Sequence, residues 1–178
     1  MEIIKNKEWT TLEQQFDWVA DMKHVAQHKL YHAEGNVANH TQMVLYELRQ
    51  LSDYHLLTPQ EQEVLWTAAL LHDVEKRSTS VDEGNGFISA NGHARKGEFT
   101  ARTILYRDLA VPFHIREQIV SLVRFHGLPL WLMEKIDPLK NVLEAAFRCE
   151  MRLLKILSEA DVRGRICSDK SGLIEALE

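Results

Sequence analysis

Apolar residues recur at a helical period along most of the chain. Leu12, Phe16, Val19 and Met22 follow a repeat near 3.6 residues, which predicts a first helix from about Thr11 to Leu30. The segment Tyr31 to Asn36 breaks the repeat, with Gly35 marking a turn. Val37, Thr41, Val44, Leu48 and Leu51 then predict a second helix. Thr58-Pro59-Gln60-Glu61 reads as a helix start: Thr58 can cap, Pro59 suits the first helical position, and Glu61 falls three residues after the cap. That third helix runs through Val64, Leu65, Ala68, Leu71 and His72. Residues 77–92 form a polar, glycine-containing loop long enough to carry function. Helices are predicted again over 94–106, 112–125 and 138–163, and strand signals are weak throughout. The expected fold is one all-α helical bundle over residues 1–166, with 167–178 as a tail or linker.

Composition narrows the class. The 178 residues are 45% apolar, enough for one domain with a substantial core. A formal charge of −5 argues against a broad basic surface for long nucleic acid, though not against a small pocket for one phosphate. The two cysteines, Cys149 and Cys167, fit no metal or disulfide spacing and point to a reducing compartment. No stretch approaches the roughly 20 apolar residues of a membrane span, and the first residues do not read as a signal peptide. A cytoplasmic protein is expected, with no membrane partner.

Chemistry enters at His72-Asp73, an imidazole and a carboxylate ending the apolar run from Ala68. Both are costly to bury without compensation, and a divalent metal compensates both. A hydrogen-bonded structural pair explains the doublet equally well when it is taken alone. His40 lies between Val37 and Val44 on a helical seam, and Asp161 follows Leu157 at i+4 on an inward face. His93 stands at a predicted helix start and His126 at a helix end stopped by Gly127 and Pro129. One ion can take His40, His72, Asp73 and Asp161. A second can take His93 and His126, with Asp73 as bridge. The mixed nitrogen and oxygen set suits Mn, Co, Ni, Zn or Fe better than Ca.

The order His40, His72-Asp73, Asp161 resembles the HD-domain metal-dependent phosphohydrolases, and His93 and His126 resemble the extra ligands of members that hold two metals. His32-Ala-Glu-Gly-Asn-Val-Ala-Asn-His40-Thr41 is similar to the entry motif of HD domains in CCA-adding tRNA nucleotidyltransferases. Over its whole length the chain more closely resembles the HD half of bacterial RNA end-healing enzymes, which join it to a polynucleotide kinase. The resemblance implies hydrolysis of 2′- or 3′-phosphates and 2′,3′-cyclic phosphates at RNA or nucleotide ends, with a kinase domain following the tail. A deoxynucleoside 5′-monophosphatase and a non-catalytic metal-bound module are the alternatives. Glu75 departs from the pattern: a bulky acid replaces a small residue before Lys76, which predicts altered access at the pocket rim.

Further roles follow from spacing. Lys76 is i+3 from Asp73 and can meet a phosphate oxygen. Arg165, i+4 from Asp161, reaches the same pocket if the helix continues, as a bidentate clamp. His32 is a substrate contact or a general acid. With Asp73, these three form the expected catalytic set. Lys76 and Arg165 also read as simple salt-bridge partners of Glu75 or Glu159. His24, His28 and His32 share a helical face at four-residue spacing, which can bind zinc, but their polar flanks favour a solvated face. His55 and His114 read as surface or capping residues, Glu34 as a turn or capping residue, and Trp131 as rim packing or a base-stacking surface.

Overall fold

The structure, a computed structural model, describes residues 1–177. Two short helices, α1 (Trp9–Gln15) and α2 (Asp17–Ala20), and a 3-10 turn over Asp21–His24 replace the long first helix. The chain leaves helical geometry at Phe16 and again at Val25, both extended. From Val25 it doubles back on itself. Gln27 N–H donates to Gly35 O and Val37 N–H to Val25 O, closing a loop over 25–36. The expected histidine column therefore does not exist: His24 is exposed, while His28 and His32 are buried in this loop.

After the loop, Asn36 caps α3 (Val37–Leu48) by accepting from Asn39 N–H at 2.9 Å. The short α4 (Ser52–His55) leads to α5 (Pro59–Leu71), and Thr58 and Glu61 form the reciprocal capping box in front of it. Every residue of α5 from Val64 to Leu71 is buried, so α5 is the central helix. The helices α8 (Phe113–Phe125), α3 and α11 (Met151–Arg163) pack around it, and α7 (His93–Arg107) lies against α8.

Between α6 (Lys76–Thr79) and α7 stands a hairpin, β1 (Val81–Gly84) and β2 (Phe87–Ser89), where a loop was expected. Asn85 and Gly86 form its two-residue turn with φ of 55° and 80°, the left-handed pair that Asn-Gly favours. The predicted helix over 138–163 is two helices, α10 (Pro138–Arg148) and α11, separated by extended Cys149. α9 (Leu128–Trp131) precedes α10, and α12 (Lys170–Glu175) gives the tail one helix, with no buried residue, against α11. No helix among the described residues is long and apolar enough to cross a membrane.

Candidate metal centre

Three histidines are aimed by the same local device. His72 and His126 each stand one residue beyond the last turn of a helix, α5 and α8. Their Nδ1–H groups donate to the carbonyl three residues back, Ala69 O at 2.7 Å and Val123 O at 2.8 Å. Carbonyls in a last turn lack intrahelical donors, and the imidazoles serve them. His93 repeats the pattern against Ala90 O at 2.8 Å, at the start of α7. A carbonyl can only accept, so each Nδ1 carries a proton and Nε2 is the ring atom turned toward the other candidate ligands.

Those nitrogens converge. His93 Nε2 and His126 Nε2 lie 3.2 Å apart, and His72 Nε2 is 3.2 Å from Asp73 Oδ2. His40, on α3, places Nε2 3.0 Å from Asp161 Oδ1 and 3.7 Å from Asp73 Oδ2. The other oxygen of Asp73 faces His93 and His126 at 3.3 and 3.8 Å. His72 Nε2 and both Asp73 oxygens are buried without a well-directed hydrogen bond. Nitrogen and carboxylate donors that converge this closely, several of them without a well-directed hydrogen bond, fit a divalent metal. His40, His72 and Asp161 can hold one ion and Asp73, His93 and His126 a second, each set lying within 4.8 Å. Asp73 turns one oxygen to each.

Residues 37–162 of the chain match a family model described as HD domain. The chain belongs to the HD domain family. HD domains are generally metal-dependent hydrolases that bind divalent metals, and both the all-α fold and the buried His/Asp cluster agree with that class. Comparison with curated proteins finds no match.

The HD domain here supports its ligands with residues outside the doublet. Lys76 Nζ stands 2.7 Å from Asp73 Oδ2 and donates to Gln27 Oε1 at 2.5 Å. The helix does not run through this pair as the spacing reading supposes: α5 ends at Leu71, and a tight turn brings residues 73 and 76 together instead. α11 likewise stops at Arg163, yet Arg165 folds back and grips Asp161 with two bonds, 3.2 and 2.7 Å. Gly164 permits that stop beside α3, because a Cβ there would lie 2.6 Å from Val44 Cγ2. The salt-bridge partners suggested by spacing are wrong for both cations, and Glu159 pairs with Arg163. Glu75 does not reach the pocket rim. It turns to Ser78 and to Thr100 Oγ1, which donates at 2.7 Å, and joins α6 to α7.

Sequence reasoning missed Glu34 as part of the candidate site. Its buried Oε1 accepts from His32 Nδ1 at 2.7 Å and lies 3.0 Å from His40 Nδ1, while Oε2 accepts Ile166 N–H at 2.9 Å. It therefore sets the ring orientation of a candidate metal ligand, His40, from behind. Its place two residues after His32, inside the motif that carries the family resemblance, was the available signal. Gln27 had none, since its role depends on the fold-back of the 25–36 loop.

Electrostatics follow the geometry. Burial works against the Asp73 carboxylate, but His72 and Lys76 hold it well below its usual range. Asp161 is held low by Arg165 and His40 against the same cost. His40 is raised despite burial, because Asp161 and Glu34 flank it, so a metal bound there would displace a proton. Burial lowers His93, and burial with neighbouring His72 and His93 pushes His126 down to about 3, leaving both neutral and ready to ligate. Burial brings His32 down to about 4, against its bond to Glu34. His32, Lys76, Arg165 and Asp73 line one cavity of about 640 Å³, with Trp131 farther along its wall. His55 and His114 are exposed, as expected.

Proposed function

We propose that this HD domain is a phosphohydrolase that removes 2′- or 3′-phosphates and opens 2′,3′-cyclic phosphates at RNA or nucleotide ends. The observation that carries the reading is the placement of Lys76 and Arg165. Each pairs with one carboxylate of the metal set, and both line the cavity. A purely structural metal site needs no cations beside its ligands, whereas a phosphoryl group needs them. The metals, when bound, acidify water and offset the charge on a phosphoryl oxygen.

The chain's own groups divide the remaining work. Lys76 and Arg165 hold the non-bridging phosphate oxygens, with Gln27 fixing the Lys76 ammonium. His32 is fixed at Nδ1 by Glu34, which leaves Nε2 for the substrate. An arriving phosphate dianion favours the imidazolium and lets His32 give a proton to the leaving oxygen. In a longer natural protein this activity would sit beside a kinase module reached through the 167–178 tail.

A panel of 2′-AMP, 2′,3′-cyclic AMP, 5′-dAMP and bis-p-nitrophenyl phosphate, with Mn, Co or Ni and with chelator, tests the proposal. Turnover of the first two should exceed that of 5′-dAMP, vanish with chelator, and vanish in Asp73→Asn while the helical circular dichroism persists. Preference for 5′-dAMP would redirect the assignment to a 5′-nucleotidase. Tight metal binding without turnover of any ester would make the domain a binding module.

A further inference from the structure

The cavity is larger than a phosphate requires. At about 640 Å³ it falls among pockets that enclose a whole small organic molecule, commonly about 300–1,000 Å³. The metal ligands and two cations occupy one part of it. Beside them the 25–36 loop and the hairpin contribute His28, Tyr31 and Phe87.

These three rings form one cluster. His28 lies 4.7 Å from Tyr31 and 4.6 Å from Phe87 between centroids, edge-on to the latter. His28 is buried, whereas Tyr31 keeps 55% of its surface exposed and Phe87 51%. The cluster is held in place from below. Leu30 N–H donates to His28 Nδ1 at 3.1 Å, and His28 O accepts His32 N–H at 2.8 Å. The hairpin turn is seated on the same loop, where a Cβ on Gly86 would come within 2.9 Å of Lys29 Cδ. His28 Nδ1 is an acceptor, so Nε2 carries the proton, and that buried N–H has no partner. A buried donor without a protein acceptor is rare and leaves a hydrogen bond open to water or a ligand.

The cluster also adjoins the phosphate end along the chain. His28 follows Gln27, which holds Lys76, and Tyr31 precedes His32. A phosphate held by Lys76 and His32 thus brings its own leaving group against these rings. Half-exposed aromatic faces beside a phosphate site are what a nucleobase stacks on.

The geometry points to His28, Tyr31 and Phe87 as a stacking platform for the base of the nucleoside whose phosphate is hydrolysed. This inference rests on the reading of the site as one for nucleotide phosphate esters. The platform makes the domain select nucleosides over base-free phosphate esters without reading base identity, because every base presents a π face.

The test compares the holoenzyme on 2′-AMP and on glycerol 2-phosphate. Tyr31→Ala with Phe87→Ala should lower the ratio of kcat/KM for 2′-AMP to that for glycerol 2-phosphate by about tenfold, mainly through KM. Phe87→Trp should keep the ratio and Phe87→Leu should lose part of it. The half-exposed positions leave the core intact, so the variants remain folded. An unchanged ratio, or a ratio that falls with Trp131→Ala instead, overturns the assignment. If the wild type hydrolyses neither ester, the phosphohydrolase reading fails and saturation-transfer NMR on adenosine with inorganic phosphate decides. Saturation of the adenine H2 and H8 that the double variant loses supports the platform; its absence from the wild type overturns it.

Discussion

Replacing Glu34 with Gln tests the claim that one carboxylate behind the centre governs its affinity. Three N–H groups converge on Glu34: His32 Nδ1, His40 Nδ1 and Ile166 N. Gln keeps the shape but has only one oxygen. With the oxygen toward the histidines, its NH₂ meets the Ile166 N–H; flipped, it meets both imidazoles. Either way donor faces donor in a place where the Glu34 side chain is 1% exposed. Losing one to two charge-assisted bonds of about 1.5–3 kcal/mol each, partly replaced by neutral ones, gives a loss of about 2–4 kcal/mol. For a chain of this size that lowers Tm by roughly 5–15 °C. Metal affinity should fall about 10–100-fold, because the His40 ring is no longer held with Nε2 forward. Calorimetric titration of Mn²⁺ or Zn²⁺ into the metal-free protein, alongside thermal unfolding, measures both. Affinity within twofold of wild type would refute the argument, whatever the stability change.

Other outcomes follow from the same geometry. Acidification should destabilise the metal-free protein between about pH 6.5 and 4. There the unfolded chain binds protons that native His32 (about 4) and His126 (about 3) refuse, and His40, raised, is protonated in both states. The His32 shift alone corresponds to roughly 3 kcal/mol, and a urea midpoint that stays flat or rises as pH falls would contradict it. Lys76→Met should cut kcat on a phosphate ester by about 100-fold while metal still binds, as read by steady-state kinetics and metal titration. Retained turnover would remove Lys76 from the phosphate site. Gly164→Ala should cost about 1–3 kcal/mol in chemical denaturation. Val44→Ala should not rescue it, since the added Cβ also meets Val44 N at 2.8 Å.

What was legible from sequence depended on whether a signal was local. The Thr58–Glu61 cap, the inward face of Asp161 and the seam around His40 are set by residues within a turn of each other, and the structure keeps all of them. The first helix failed because its last third is decided elsewhere. Val25 to Asn36 folds into a closed loop whose inward residues are Gln27, His28, His32 and Glu34, polar groups that a periodicity reading assigns to solvent. The hairpin carried an Asn-Gly turn signal, masked by short and largely exposed strands. The break at Cys149 has neither glycine nor proline, so nothing nearby announces it. Asp161 survived that error because its register is counted from Leu157, within α11.

The two histidines that follow helix ends tie the candidate centre to a count of residues. His72 and His126 are positioned relative to helix ends, so adding one residue within α5 or α8 turns the ligand by about 100° around the axis and moves it off the ion. The same insertion at the Asn85-Gly86 tip or in the segment before Pro138 shifts no ligand. The centre therefore acts as a ruler that fixes the length of two helices, α5 and α8. An insertion scan read by metal retention would trace that ruler along the chain.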